Sequence, residues 1–209
     1  LLLCARLSLP AIKLSFVILR SPLRTIIRDN KVKAISLSLA SRAFYRQGIS
    51  AFLPLLAVST MGMSITSVGS VLSIFMLTGG FAQGLFGPLA DRLNKKRLIV
   101  IGSITAPVFI FFLSYMPAGG MLLAMLLPTA LFGAVARAAV MALNVELGNQ
   151  YSGMGSVMGI SRSVMSLGMV IGPLVFGYTM DHFGIGSVFQ IGAIVGILAN
   201  LPVIYFLYK

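Results

Sequence analysis

Apolar residues run along this chain in six long blocks, near 34–58, 66–90, 98–116, 121–144, 155–179 and 187–207, with polar residues gathered between them. Each block meets or nears the roughly 20 residues that a helix needs to cross a bilayer. The third and fourth blocks are the least clearly separated, by Pro117, Ala118, Gly119 and Gly120, a cluster that reads as a turn. The pattern predicts an all-α membrane protein of six transmembrane helices over 33–209.

The charges between the blocks orient this bundle. Arg20, Arg24, Arg28, Lys31 and Lys33 precede the first block, Arg92, Lys95, Lys96 and Arg97 fill the second loop, and Lys209 ends the chain. The alternate loops, 59–65, 117–120 and 180–186, hold no Lys or Arg. By the positive-inside rule, both ends of the bundle face the cytoplasm, as an even number of spans requires. A plasma or inner membrane is the expected location. Residues 1–32 differ in texture, because basic residues interrupt their apolar ones. Arg20, Arg24 and Arg28 would share a helix face, while Pro22 argues for a break. The segment reads either as a basic amphipathic helix on the cytoplasmic membrane surface or as a linker.

Composition agrees with a membrane class. Hydrophobic residues make up 58% of the 209 residues and charged residues only 10%, against about 25% charged in an ordinary soluble domain. Such a chain cannot bury its apolar surface within itself, so the lipid bilayer must cover much of it. The formal charge of +12 raises nucleic acid as a partner, but no base-reading motif interrupts the apolar runs, so none is expected. Topology explains the excess. A single cysteine, Cys4, excludes an internal disulfide and a cysteine metal site. No metal or cofactor is expected. Because the chain opens without Met or a complete signal peptide, it reads as a fragment, or as half of a longer protein.

A weak internal repeat adds organisation. Gly87-Pro-Leu-Ala-Asp91-Arg92-Leu-Asn94 closes the second block, and Gly177-Tyr-Thr-Met-Asp181-His182-Phe-Gly184 closes the fifth. Three spans separate the two, so they fall on opposite membrane faces. Two inverted three-helix repeats follow, an arrangement common in secondary transporters.

These residues resemble the major facilitator superfamily. The stretch from Gly87 through Asp91 and Arg92 to Arg97 is similar to its loop motif G-x-x-x-D-R-x-G-R-R, with Asn94 in place of the second Gly and Lys95-Lys96 shifting the basic cluster. Asn tolerates a left-handed turn, so that replacement is mild. The run Gly168 to Gly177, with Gly172-Pro173 inside it, resembles the family's glycine-rich fifth-helix motif and its eleventh-helix counterpart. The resemblance covers about 30–209. It implies half of a twelve-helix bundle, with the basic N-terminal stretch as the central loop. The chain would then be the C-terminal half, with the N-terminal six-helix half as its partner; an N-terminal half is the alternative.

The resemblance also implies roles. Asp91 stands at a helix C-terminus, where the macrodipole disfavours an anion, so some other interaction must favour it. In the family pattern it closes the cytoplasmic side across the interface between halves. Gly87, Asp91, Arg92 and Arg97, with Glu146 as the acid available for pairing, form this gating set. Arg42, Arg46, Arg137 and Arg162 lie within the apolar blocks, where each arginine at the centre costs about +2.5–3.5 kcal/mol. Arg42 and Arg162 are close enough to a boundary to snorkel. Arg46 and Arg137 lie deeper and mark a pathway for a small, anionic substrate, with Gln47 and Asn144 adding hydrogen bonds. Gly168, Gly172, Pro173 and Gly177 permit close helix contact and bending.

No Asp or Glu sits mid-span, so any coupling to protons or other ions uses Glu146 or the absent half, or does not occur. The reading is a secondary active transporter of small solutes, of efflux or permease type, working by alternating access. A non-transporting scaffold or receptor on the same bundle is the rival. No nucleophile–base constellation or nucleotide loop supports an enzyme.

Overall fold

The computed structural model describes residues 25–116, 120–151 and 153–208, except for the side chains of Asp91 and Gly120. Most of the basic segment expected over 1–32, the first three residues of the turn cluster at 117–120, and Lys209 lie outside them. Among the described residues, six long helices make up the fold. They are α1 (Asn30–Ser59), α2 (Ile65–Arg92), α3 (Lys95–Phe112), α4 (Gly120–Gln150), α5 (Met154–Phe183) and α6 (Ile185–Tyr208), with a 3₁₀ turn at Leu113–Tyr115 closing α3.

Local chemistry sets the starts. Asp29 accepts from the Lys31 amide at 2.6 Å to cap α1, and Ser64 accepts from Ser67 N at 3.2 Å to cap α2, each satisfying a backbone donor that the first turn leaves free. Asn94 does the same for α3, accepting from Arg97 N at 3.3 Å. Its backbone is extended (φ −69°, ψ 98°). The left-handed turn expected there does not form, because a side chain able to cap a helix is better used just before Lys95. The loop expected at 180–186 also shrinks. α5 continues through Asp181 and His182 to Phe183, and Gly184 at φ 79° turns the chain directly into α6.

Each long helix contains one proline: Pro54, Pro88, Pro107, Pro128, Pro173 and Pro202. Membrane helices tolerate this where neighbours satisfy the freed carbonyls. Five helices, α2 to α6, are long and apolar enough to cross a membrane. α1 is 30 residues long, but Arg42, Arg46 and Gln47 lower its apolarity. Four of its polar residues, Ser36, Ser38, Ser41 and Arg42, are buried, while Arg46 and Gln47 are exposed.

Two apolar cores stack along the bundle. One gathers Phe44, Leu53, Phe75, Ile110, Leu122, Phe176 and Phe189; the other gathers Ile26, Val32, Ala90, Ile99, Leu147, Val157 and Leu207. Every helix passes from one core to the other, and successive helices do so in opposite senses. The bundle therefore runs up and down. Arg28, Lys31, Lys33 and the basic loop at 92–97 cluster at the end holding the second core, together with the N-terminus of α1 and the C-terminus of α6. Between the cores lies a polar layer, in which Asn200 Nδ2 reaches Ser41 Oγ at 3.0 Å, Ser103 O at 3.2 Å and Gly196 O at 2.7 Å, joining α1, α3 and α6.

The packing exchanges partners between the two triplets. α1 packs mainly on α5 and α6, α4 mainly on α2 and α3, and α3 meets α6. α2 and α5 are the least covered, with 22% of each apolar stretch buried against 33–44% in α3, α4 and α6.

Candidate functional site: an arginine-lined cavity between four helices

A cavity of about 410 Å³ opens between α1, α2, α4 and α5, within the size range of small-molecule sites. α3 and α6 contribute nothing to its wall. All four arginines of the apolar blocks, Arg42, Arg46, Arg137 and Arg162, line it. Arg42 and Arg46 reach it together because a spacing of four places them on one face of α1. The rest of the wall is polar at Tyr45, Gln83, Thr129, Asn144 and Ser161, and apolar at Phe75 and five methionines. Among the described residues, no wall residue is acidic.

Arg42 is only 7% exposed. Its Nη2 donates to the carbonyl oxygen of Gly133 on α4, so the guanidinium is held inside the bundle and does not snorkel to a boundary as expected. Burial behind the α1–α4 contact keeps it there. Its Nη1 and the Tyr45 hydroxyl are buried without a hydrogen-bond partner among the described residues. Asn144 accepts from Ser161 Oγ at 3.1 Å, which ties α4 to α5. Arg162 lies on the same wall but is exposed, as is Arg46. Gln47 is exposed and stands outside the wall, one residue round the helix from Arg46. Sequence reasoning thus missed Arg42, Arg162, Tyr45 and Gln83 as wall residues. The four-residue spacing of Arg42 and Arg46 was the available signal for Arg42.

Residues 35–209 match the sequence profile of the Major Facilitator Superfamily. The chain belongs to that superfamily. It is 28% identical over 151 residues to the riboflavin transporter RibZ of Clostridioides difficile, covering 70% of this chain and 32% of that protein. It is 27% identical over 161 residues to an uncharacterized MFS-type transporter of Methanocaldococcus jannaschii (77% and 41%). It is 26% identical over 177 residues to the multidrug efflux pump LfrA of Mycolicibacterium smegmatis (85% and 32%). The matched region thus spans 32–41% of the length of these relatives. These relatives are named as transporters, not enzymes, and the chain is an integral membrane protein.

The stretch that resembles the superfamily's loop motif runs from the end of α2 into α3. Gly87 lies one turn before Asp91, in a place with open space around it. Arg92 and Arg97 are exposed. Glu146 meets Lys95, not either arginine, with Nζ 2.9 Å from its carboxylate. Lys95 opens α3 and thereby faces the end of α4. Nearby, the Tyr151 hydroxyl donates to Asp29 Oδ2; that hydrogen bond, then burial and the Asp29 charge, raises the phenol's pKa.

The stretch 168–177, which resembles the superfamily's glycine-rich motif, lies along the α1–α5 contact. A Cβ at Gly168 would collide with the Ala40 carbonyl, and one at Gly172 would lie 2.7 Å from the Phe44 carbonyl oxygen. At Gly177 it would find ordinary contact, 4.0 Å from Phe52. Pro173 lies within α5.

Proposed function

We propose that this chain forms the C-terminal, six-span half of a secondary active transporter that moves small solutes by alternating access through the arginine-lined cavity. One observation carries the reading. Charged and polar side chains from four helices converge on a single cavity in a chain otherwise built for lipid, where in-span arginines are retained for pathways and partners. The names of the relatives point the same way. The exchange of packing partners between α1–α3 and α4–α6 favours two inverted three-helix repeats. The clustering of basic residues at one end favours placing that end, and both termini of the bundle, in the cytoplasm of a plasma or inner membrane. The poorly covered flanks of α2 and α5 rim the cavity and suit the N-terminal half as their cover. In this reading Gly87, Asp91, Arg92, Arg97 and Glu146 belong to a cytoplasmic gate. Protons or other ions would couple through Glu146 or the other half.

The test uses the full-length protein, otherwise free of cysteine, with Met141→Cys on the cavity wall. Impermeant maleimides should label this position from either membrane face, and solute gradients should shift the ratio. Labelling from one face alone under every condition overturns alternating access and favours a scaffold or receptor.

A further inference from the structure

The cavity wall carries four positive charges and, among its described residues, no negative one. Arg42, Arg46 and Arg137 stand near enough to feel one another's charge. The chain has four acids in all, and the described side chains lie elsewhere. Asp29 is bound by Tyr151, Glu146 by Lys95, and Asp181 stands on the last turn of α5. Such a cluster in a low-dielectric bundle calls for a counter-charge.

The wall also offers donors that the fold itself does not use. Arg42 is fixed through one guanidinium nitrogen to Gly133, while its other terminal nitrogen and the Tyr45 hydroxyl find no partner among the described residues. Both residues are more than nine-tenths buried and both line the cavity. A guanidinium held at one end and free at the other is prepared to donate to an anionic oxygen, where charge-assisted hydrogen bonds are about twice as strong as neutral ones. The opposite character completes the wall: Met76, Met141, Met158, Met165 and Met169 supply soft, adaptable apolar surface.

We propose that the ligand of this cavity is an organic anion with an apolar body, its charged group held by Arg42, Tyr45 and Arg137 and its body lying on the methionines. This rests on the cavity being the transport pathway, and it names the class of cargo.

Equilibrium binding to the full-length protein in phosphatidylcholine nanodiscs tests it, with radiolabelled 2-naphthoate against 2-naphthylmethylammonium and 2-naphthalenemethanol, which share one apolar body. Naphthoate should bind at least tenfold more tightly than either. Arg137→Gln and Arg46→Gln should each weaken naphthoate severalfold or more and leave the alcohol unchanged. Arg42→Lys should retain more affinity than Arg42→Gln. Because Arg42 also joins α1 to α4, the Arg137 variant decides if Arg42→Gln fails to fold. Preference for the ammonium overturns the proposal. So does naphthoate affinity unchanged in Arg137→Gln, or a lack of naphthoate binding, as when carboxylates of the other half already neutralise the arginines. Two-sided labelling at position 141 without naphthoate binding removes the anion but keeps transport; arginine-dependent binding with one-sided labelling does the reverse.

Discussion

The ring of Phe176 lies directly on the backbone of Gly48, so that a single methyl group at position 48 would overlap it. Gly192 on α6 receives the same ring; Phe44 lies tilted against it and Phe52 stacked on it, at 5.2 and 5.9 Å between centroids. Phe176 thus wedges α5 between α1 and α6. Gly48→Ala should destabilise the bundle by about 1–3 kcal/mol through overpacking. Phe176→Ala should cost about 3–5 kcal/mol through the cavity it leaves. Combining Gly48→Ala with Phe176→Leu should recover part of the first loss in detergent thermal-shift measurements. Additive losses would contradict the wedge.

The α1–α5 contact predicts a graded response along one helix. Gly168→Ala and Gly172→Ala meet backbone carbonyls, which cannot rotate away, and should lower the melting temperature and the yield of folded protein. Gly159→Ala, with open space around it, should leave both unchanged or slightly improved. Equal effects at all three positions would place the cause outside helix contact.

Asp91→Asn should reduce transport and shift the two-sided labelling ratio at position 141, with expression unchanged. Glu146→Gln should do less, because its partner Lys95 forms a pair whose side chains are 25% and 59% exposed. Such a pair contributes about 0–1 kcal/mol, and the difference should fade in high salt. Normal transport by Asp91→Asn in reconstituted vesicles would remove the gate.

Tyr151 sets a pH expectation at the basic end. Its pKa is raised, chiefly by the hydrogen bond to Asp29, so the neutral phenol is the form that the fold favours. Stability from this contact is fully present below the ordinary tyrosine pKa of about 10 and is lost as pH rises through the higher folded value. Wild type should therefore exceed Tyr151→Phe in stability across pH 6–9 and converge with it in stronger alkali. Alkaline difference absorbance between the two proteins should show one phenol ionising late.

The helices were legible because apolar blocks of this length have few other solutions in a bilayer, and the basic loops marked one end of the bundle for a similar reason. The boundaries were less so. Capping by Asn94 and the continuation of α5 through His182 depend on backbone competition that residue type alone does not decide. In the cavity, spacing placed Arg42 beside Arg46, yet distance along the helix suggested snorkelling; only packing of α1 on α4 shows that Gly133 holds it. Gln47 follows Arg46 in sequence but, at about 100° further round the helix, leaves the wall. Tyr45 and Gln83 had no signal, since a lone aromatic or amide in an apolar block reads as packing until its neighbours are known.

Asn200 bears on how such a bundle can move. Its amide nitrogen has two hydrogens and three acceptors within reach, on α1, α3 and α6. One hydrogen can pass from the Ser103 carbonyl to Ser41 or Gly196 as the helices slide slightly, with no moment at which the buried donor is bare. The junction therefore fixes which helices stay together while leaving their register soft, in the manner of a bearing rather than a weld.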